Sequence, residues 1–336
     1  MRHLIFAAGL ALAVTVGNAA APEVPDTMLA AAIDRAGGPE VLSIHQLPVP
    51  KVKAGEVLIA VRAAGIGAWE ASTREHPGER ARFPMILGSD GAGTVAEVGP
   101  DVTGFKVGDE VYGGGGAFDA EYVAVAADKI ARIPKGIDMT QAGALAISGL
   151  SALQGIDDAL QLKKGEAVII HGATGGVGTL AIQFAKLRGA KVLATASSEE
   201  GMALARRLGA DVVVNGRAGD LGSAIRLFAP QGVDAVFGLA GGDALERCID
   251  GLRRDGRGRV AYLYGMEPLP KPRFAMRMVL YSFISGADEL RRLNTAVTAA
   301  KAQVPIAAKF PLAQAAEAHR RLESGHLLGK IVLEIR

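Results

Sequence analysis

The chemistry of this chain starts from glycine spacing. Ala173, Gly175 and Gly178 make an A-x-G-x-x-G pattern within Val168-Ile169-Ile170-His171-Gly172-Ala173-Thr174-Gly175-Gly176-Val177-Gly178. A short apolar run precedes the pattern and a helical period follows it. A small first residue permits a tight turn, Gly175 lets the backbone approach a pyrophosphate, and Gly178 lets the helix pack close to the strand. Thr174, Gly176 and Val177 complete a turn whose free N–H groups would face an anion at the positive end of the helix. The tip of the next strand reads Thr195-Ala196-Ser197-Ser198. An acid there would bind a ribose 2′-hydroxyl and repel a 2′-phosphate. None stands at the tip, and the hydroxyls of Ser197 and Ser198 can donate to a phosphate. Glu199 and Glu200 follow at once and no Lys or Arg shares the turn, so NADPH is preferred over NADH without NADH being excluded.

The elements that must position this loop follow from periodicity. From residue 167 onward, short apolar strands (168–171, 192–195, 212–214, 235–237, 260–263) alternate with amphipathic helices (177–188, 199–208, 244–252). That alternation requires a parallel sheet covered on both faces, a doubly wound α/β fold. Residues 140–159 read as one helix. Before residue 135 the pattern is strand-like, without a long helical period, and is punctuated by Gly37-Gly38, Gly104, Gly108 and residues 113–116. A helix from about Asp288, an extended piece at 304–310, a helix at 312–324 and a strand at 331–335 close the chain and can return to the first sheet.

Composition bounds the possibilities. A length of 336 residues implies two domains. A net charge of +2 leaves no electrostatic footprint for nucleic acid. The lone Cys248 rules out an intramolecular disulfide and a Cys-rich metal site, and it reads as a buried thiol. At the N-terminus, Arg2 and His3 precede an apolar run at 4–16, then small residues and Pro22. This describes a secretory signal peptide over residues 1–21, too short to span a bilayer. A true start at Met28 is the alternative. The first reading implies a periplasmic or secreted protein and the second a cytoplasmic one. No other stretch is long enough to span a membrane.

Several segments in fixed order give the chain a family likeness: Gly37-Gly38-Pro39-Glu40-Val41-Leu42, Arg62-Ala63-Ala64-Gly65-Ile66, Leu87-Gly88-Ser89-Asp90-Gly91-Ala92-Gly93, Val107-Gly108-Asp109-Glu110-Val111-Tyr112, the loop at 171–178, and Gly329-Lys330-Ile331-Val332-Leu333. With these the chain resembles the medium-chain dehydrogenase/reductase superfamily, most closely its zinc-independent quinone oxidoreductase branch. The resemblance implies a GroES-like, mostly β domain from both chain ends (28–139 and 290–336) with a Rossmann domain (140–289) inserted. It implies hydride transfer from NADPH to a quinone or an α,β-unsaturated carbonyl compound, in a homodimer. It also implies cofactor contacts from Ser151, Arg217, Leu239, Ala240 and Lys330, besides the loop and Ser197 and Ser198.

Zinc-dependent relatives carry a Cys two residues after the glycine matching Gly65 and a His-Glu pair after the one matching Gly88. Here those positions are Gly67, Ser89 and Asp90, and the six histidines show no metal-ligand spacing, so no metal site is expected. Many quinone reductases have an Asn, an Asp and a nearby Tyr where this chain has Gly67, Glu70 and Ser72. The expected substrate wall is therefore Trp69, Glu70, Ser72 and Arg74, with Tyr112 beside them. Arg74 is the candidate donor to a developing oxyanion, and a surface pair with Glu70 at i,i+4 is its structural alternative. Trp69 either stacks on substrate or fills the core. The missing Asn and Tyr keep open a second class of function, a fold-mate that binds NADPH without turnover.

Overall fold

A computed structural model of the chain describes residues 24–217 and 220–335. The signal-peptide expectation at 1–21 lies outside the described residues.

Six strands form one wholly parallel sheet. Their spatial order is Val212–Asn215, Lys191–Ala196, Ala167–His171, Ala235–Gly238, Arg259–Leu263, Arg277–Tyr281. Numbered along the chain, this is the order 3-2-1-4-5-6, with the reversal beside Ala167–His171, the crevice position where such sheets bind nucleotides. The central strand shows why its sequence is apolar without alternation. Val168 and Ile170 pack with Leu180, Phe184, Leu150 and Leu293 on one face, while Ile169 packs with Ile225, Leu245, Cys248 and Ile249 on the other. Both faces are covered, so Val168, Ile169 and Ile170 are all apolar. Cys248 is fully buried, and burial pushes its thiol up to about 12, an inert packing role.

The second sheet has seven strands drawn from both chain ends. Glu56–Ile66 is its spine, with Asp90–Val98 along one edge. The other edge is shared: Tyr122–Ala126 pairs with residues 56–60, and the C-terminal strand Lys330–Glu334 pairs with residues 63–66. Ile306–Pro311 continues the sheet beyond Lys330–Glu334. A smaller sheet pairs Thr27–Ile33 with Leu42–Pro48 and Met85–Ile86.

Four local expectations change. The β-rich N-terminal part contains a helix, Ala68–Glu75, which leaves Glu56–Ile66 through Gly67. The helix expected at 140–159 is broken into Met139–Gly143, Ala146–Gln154 and a wide turn Gly155–Ala159. The break falls where a Cβ on Gly143 would lie 2.7 Å from the Ala63 Cβ, so the first piece ends pressed against the spine strand. The strand Arg277–Tyr281 and the helix Leu221–Phe228 escape the sequence reading. Among the described residues, no helix is long and apolar enough to cross a membrane.

Candidate functional site

The C-terminal strand is tied directly to the glycine turn. Gly329 N–H donates to the Thr174 carbonyl at 2.8 Å, and Gly175 and Gly329 form a parallel bridge. This stitch brings Lys330, from one sheet, onto the loop of the other. The helix Gly176–Leu187 starts there with its amides facing the groove. Gly178 is essential to the turn, because a Cβ would lie 2.3 Å from the Gly172 carbonyl oxygen and 2.7 Å from Ala173.

Two cavities meet at Gly172. The inner one, about 570 Å³, runs past the turn between Trp69 and Ser72 on one side and Leu239 and Tyr264 on the other, with Ser148 and Lys330 also in its wall. The outer one, about 260 Å³, is lined by Thr174, Thr195, Ser197, Arg217 and Ala240. His171 also lines it, with Nδ1 2.8 Å from Thr195 Oγ1. Burial, helped by the Arg247 charge, lowers His171 to about 4, so at neutral pH the cationic side chain lining this pocket is Arg217.

The structure sorts the expected residues. Thr174 and residues 175–178 line the groove, while Ala173 is buried beneath the turn. Ser197 and Arg217 stand at the outer end. Ser198 instead caps the helix Glu199–Arg207, its Oγ accepting from Gly201 N–H at 3.1 Å. Leu239 faces the inner cavity and Ala240 the outer. Ser151 is buried, and its carbonyl accepts from Tyr281 Oη at 2.6 Å; the serine that reaches the cleft is Ser148, one turn earlier. Tyr112 is also away from the cleft, fully buried with its hydroxyl on Asn294 Oδ1 at 2.6 Å.

The helix Ala68–Glu75 splits the expected catalytic set in two. Trp69 and Ser72 face the cleft; Glu70 and Arg74 point inward. Arg74, 0% exposed, donates Nε–H to the Gly37 carbonyl at 2.9 Å and Nη2–H to Glu323 at 2.6 Å and Glu75 at 2.9 Å. Its Nη1 lies 2.8 Å from His319 Nδ1. It ties this helix to Ala315–Glu323, so neither the oxyanion-donor role nor the surface pair with Glu70 describes it.

Glu70 belongs to a buried acid cluster. Its carboxylate accepts from Ser89 N–H at 2.8 Å and from Gly67 N–H at 3.4 Å. Burial raises it to about 7, with the Lys330 charge opposing the shift. Asp90, which accepts from Ile147 N–H at 3.1 Å, is raised by the same burial, and Asp119 well above the usual carboxylate range. Among the described residues, Glu70, Asp119 and His319 bring one potential ligand atom each within 4.8 Å of one another. The histidine decides how to read them. A guanidinium can only donate, so His319 Nδ1 accepts and neutral Nε2 carries the proton. Burial and the Arg74 charge lower His319 to about 4, which keeps it neutral. With Nδ1 taken by Arg74 and Nε2 protonated, the neutral ring has no free lone pair for a metal. Among the described residues, Nε2 and both Asp119 oxygens make no hydrogen bond.

Among the described residues, three buried donors in the cleft wall have no hydrogen-bond partner: Trp69 Nε1, Ser148 Oγ and Lys330 Nζ. Sequence reasoning named two of them and missed Ser148, whose signal was a hydroxyl inside the apolar helix Ala146–Gln154. With the glycine turn and the free helix end, these orphan donors fit a bound dinucleotide with a second, acceptor-bearing molecule beside it.

Comparison with known proteins agrees with this geometry. Residues 53–135 match the alcohol dehydrogenase GroES-like domain, and residues 208–333 match a zinc-binding dehydrogenase family. The chain is 31% identical to the quinone oxidoreductase of Homo sapiens over 314 residues, 88% of this chain and 94% of that protein. It is 31% identical over 347 residues to the chloroplastic NADPH-dependent alkenal/one oxidoreductase of Arabidopsis thaliana, covering 98% and 85% of the two. The Escherichia coli quinone oxidoreductase complexed with NADPH superposes with a TM-score of 0.82 at 27% identity, over 91% of this chain and 100% of that one. The chain thus belongs to the quinone oxidoreductase branch of the medium-chain dehydrogenase/reductase superfamily and is an NAD(P)H-dependent oxidoreductase.

Proposed function

We propose that the chain is a zinc-free reductase that takes a hydride from NADPH and delivers it to a quinone or an α,β-unsaturated carbonyl compound. The observation that carries this reading is the inner cleft itself, in which an aromatic wall and three orphan donors stand beside the glycine turn. When bound, the dihydronicotinamide supplies the hydride. The protein's task is then to place the acceptor and meet its charge. Trp69 offers a flat apolar face to a planar conjugated substrate. Ser148 and Lys330 offer donors to its carbonyl oxygen.

Zinc does not fit the ligand frame that zinc-dependent relatives use. Gly67 has no side chain to ligate, Ser89 replaces an imidazole, and Asp90 is held by the Ile147 amide. NADPH over NADH is supported by Arg217 and Ser197 at the outer pocket, where a 2′-phosphate would meet a cation and a hydroxyl. A homodimer is supported by the sheet edge at Arg277–Tyr281, which pairs on one side with Arg259–Leu263 and has Leu280, Tyr264 and Ile284 exposed around it.

The test is a fluorescence titration of the full chain with NADPH and NADH, followed by addition of 1,4-benzoquinone while absorbance is recorded. Saturable binding, tighter for NADPH, and quinone-dependent oxidation are expected. Failure to bind either nucleotide overturns the reading; oxidation with NADH alone overturns the cofactor preference.

A further inference from the structure

Among the three orphan donors of the cleft, only Lys330 carries a positive charge and an acidic proton. Its side chain is 5% exposed. Its stem passes over the glycine turn, since a Cβ on Gly176 would lie 2.7 Å from both Lys330 Cγ and Cδ. The ammonium beyond it is buried in the cleft wall, with Lys330 Cε 3.2 Å from where a Cβ on Gly65 would stand. There it sits 4.5 Å from the centre of the Trp69 ring and 4.0 Å from Asp90 Oδ1. Asp90 is fixed from its other oxygen by Ile147 N–H, and its Oδ1 accepts no hydrogen bond. Glu70 and Asp119 also feel its charge, but Nζ makes no hydrogen bond among the described residues, so its N–H bonds are left for a ligand. Ser148 Oγ is a second orphan donor on the same side of the turn, 3.0 Å from the same Gly176 Cβ position.

Building on the reductase reading, we propose that Lys330 is a catalytic residue that binds the substrate's carbonyl oxygen, with Ser148 as its companion donor, and protonates that oxygen as the hydride arrives. For an enone, hydride forms a C–H bond at the β carbon, the C=C pair shifts to make an enolate, and one Lys330 N–H bond breaks to give the enolate oxygen its proton. For a quinone, the same proton goes to the oxygen of the reduced ring. The neutral amine left on Lys330 takes a proton back from water after the product has left. Asp90 is a positioning residue that holds the ammonium against Trp69. Arg74, the donor expected from sequence, has no part in the step because its N–H groups are committed to Gly37, His319, Glu75 and Glu323.

The test reads binding of a charged mimic rather than turnover. A substituted phenolate resembles an enolate or a hydroquinone monoanion, and 4-nitrophenol changes colour on ionisation. The wild-type chain, Lys330→Met, Lys330→Gln and Lys330→Arg are titrated with 4-nitrophenol below its own pKa, and separately with NADPH, after a melting curve confirms folding. Wild type is expected to bind the yellow phenolate in preference to the phenol. The Met and Gln variants should each lose about tenfold or more of that affinity, Arg should retain most of it, and NADPH affinity should move less than about threefold. Two neutral variants are used so that a folding failure in one leaves the other to decide.

Phenolate binding that is absent in wild type, or unchanged in both neutral variants, overturns the proposal. So does a loss of NADPH affinity with phenolate binding intact, which would make Lys330 a cofactor anchor only. A wild-type chain that binds phenolate but no NADPH would overturn the reductase reading while leaving the oxyanion site standing.

Discussion

The glycine turn at 172–178 and the helix Ala68–Glu75 face each other across one cleft, yet they are built on opposite principles. The shape of the turn is set by its own neighbours in sequence, as Gly178 clears Gly172 and Gly175 N–H donates to the Gly172 carbonyl at 3.4 Å, with Gly329 and Thr195 bonded to it from outside. The helix is held from far away. Arg74 reaches Gly37, His319 and Glu323, and Glu70 reaches Ser89. The contrast teaches that backbone shape needed for a ligand can be written locally, whereas the direction of a side chain on a short helix is set by whichever distant groups close around it.

The contrast is sharpest where one residue changes one side only. On the turn, Gly178→Val places carbon where the Gly172 oxygen lies, so NADPH affinity should fall by about 100-fold or more in a titration. On the helix, Arg74→Met should act on stability. It leaves the Gly37 carbonyl, His319 and Glu323 without their buried cation, at about 3–5 kcal/mol in a denaturant melt. NADPH affinity of the folded fraction should stay within about threefold, since Arg74 touches neither cavity. A fully stable Arg74→Met with lost turnover would reverse the assignment and return the guanidinium to the chemistry.

A smaller effect separates the outer pocket from the turn. Arg217→Ala should weaken NADPH by about tenfold and leave NADH almost unchanged, because only the 2′-phosphate needs the cation. Equal weakening of both nucleotides would place Arg217 elsewhere on the cofactor.

The smallest effect is a slope. Burial holds the Glu70 carboxyl near 7 against an ordinary 4.5, so the folded chain keeps a proton there that the unfolded chain releases. Its contribution is complete below about pH 4.5 and is lost as pH rises through 7. Glu70→Gln cannot titrate. Its unfolding free energy should therefore fall less steeply than wild type across that window, by of order 1 kcal/mol per pH unit. Parallel slopes in the two proteins would take the titration away from Glu70.

The same contrast explains what could be read from the chain. The parallel sheet was legible because each strand, such as Val168-Ile169-Ile170, is apolar on both faces for a stated physical reason. The edge strand Arg277–Tyr281 was not, since it is half-covered and mixes Arg277 with apolar residues. The turn was legible to the residue. On the facing helix the residue types suggest a cleft wall, and Trp69 and Ser72 do line the cavity, but Glu70 and Arg74 turn inward because nothing local announces Asp119, His319 or Glu323. Ser151 came from the family resemblance, whereas Ser148, a hydroxyl on the apolar helix Ala146–Gln154, lines the cleft one turn earlier and has no local signal to set it apart from Ser151.

The central claim is that hydride passes directly from the cofactor on the turn to a substrate against Trp69 and Lys330. The most direct measurement uses NADPH carrying deuterium stereospecifically at C4, each stereoisomer in turn, with a simple enone and the full chain, and locates the label in the product by NMR. Direct transfer should put deuterium on the carbon β to the carbonyl from one stereoisomer and none from the other. NADPH oxidised with no label in the product from either would contradict it.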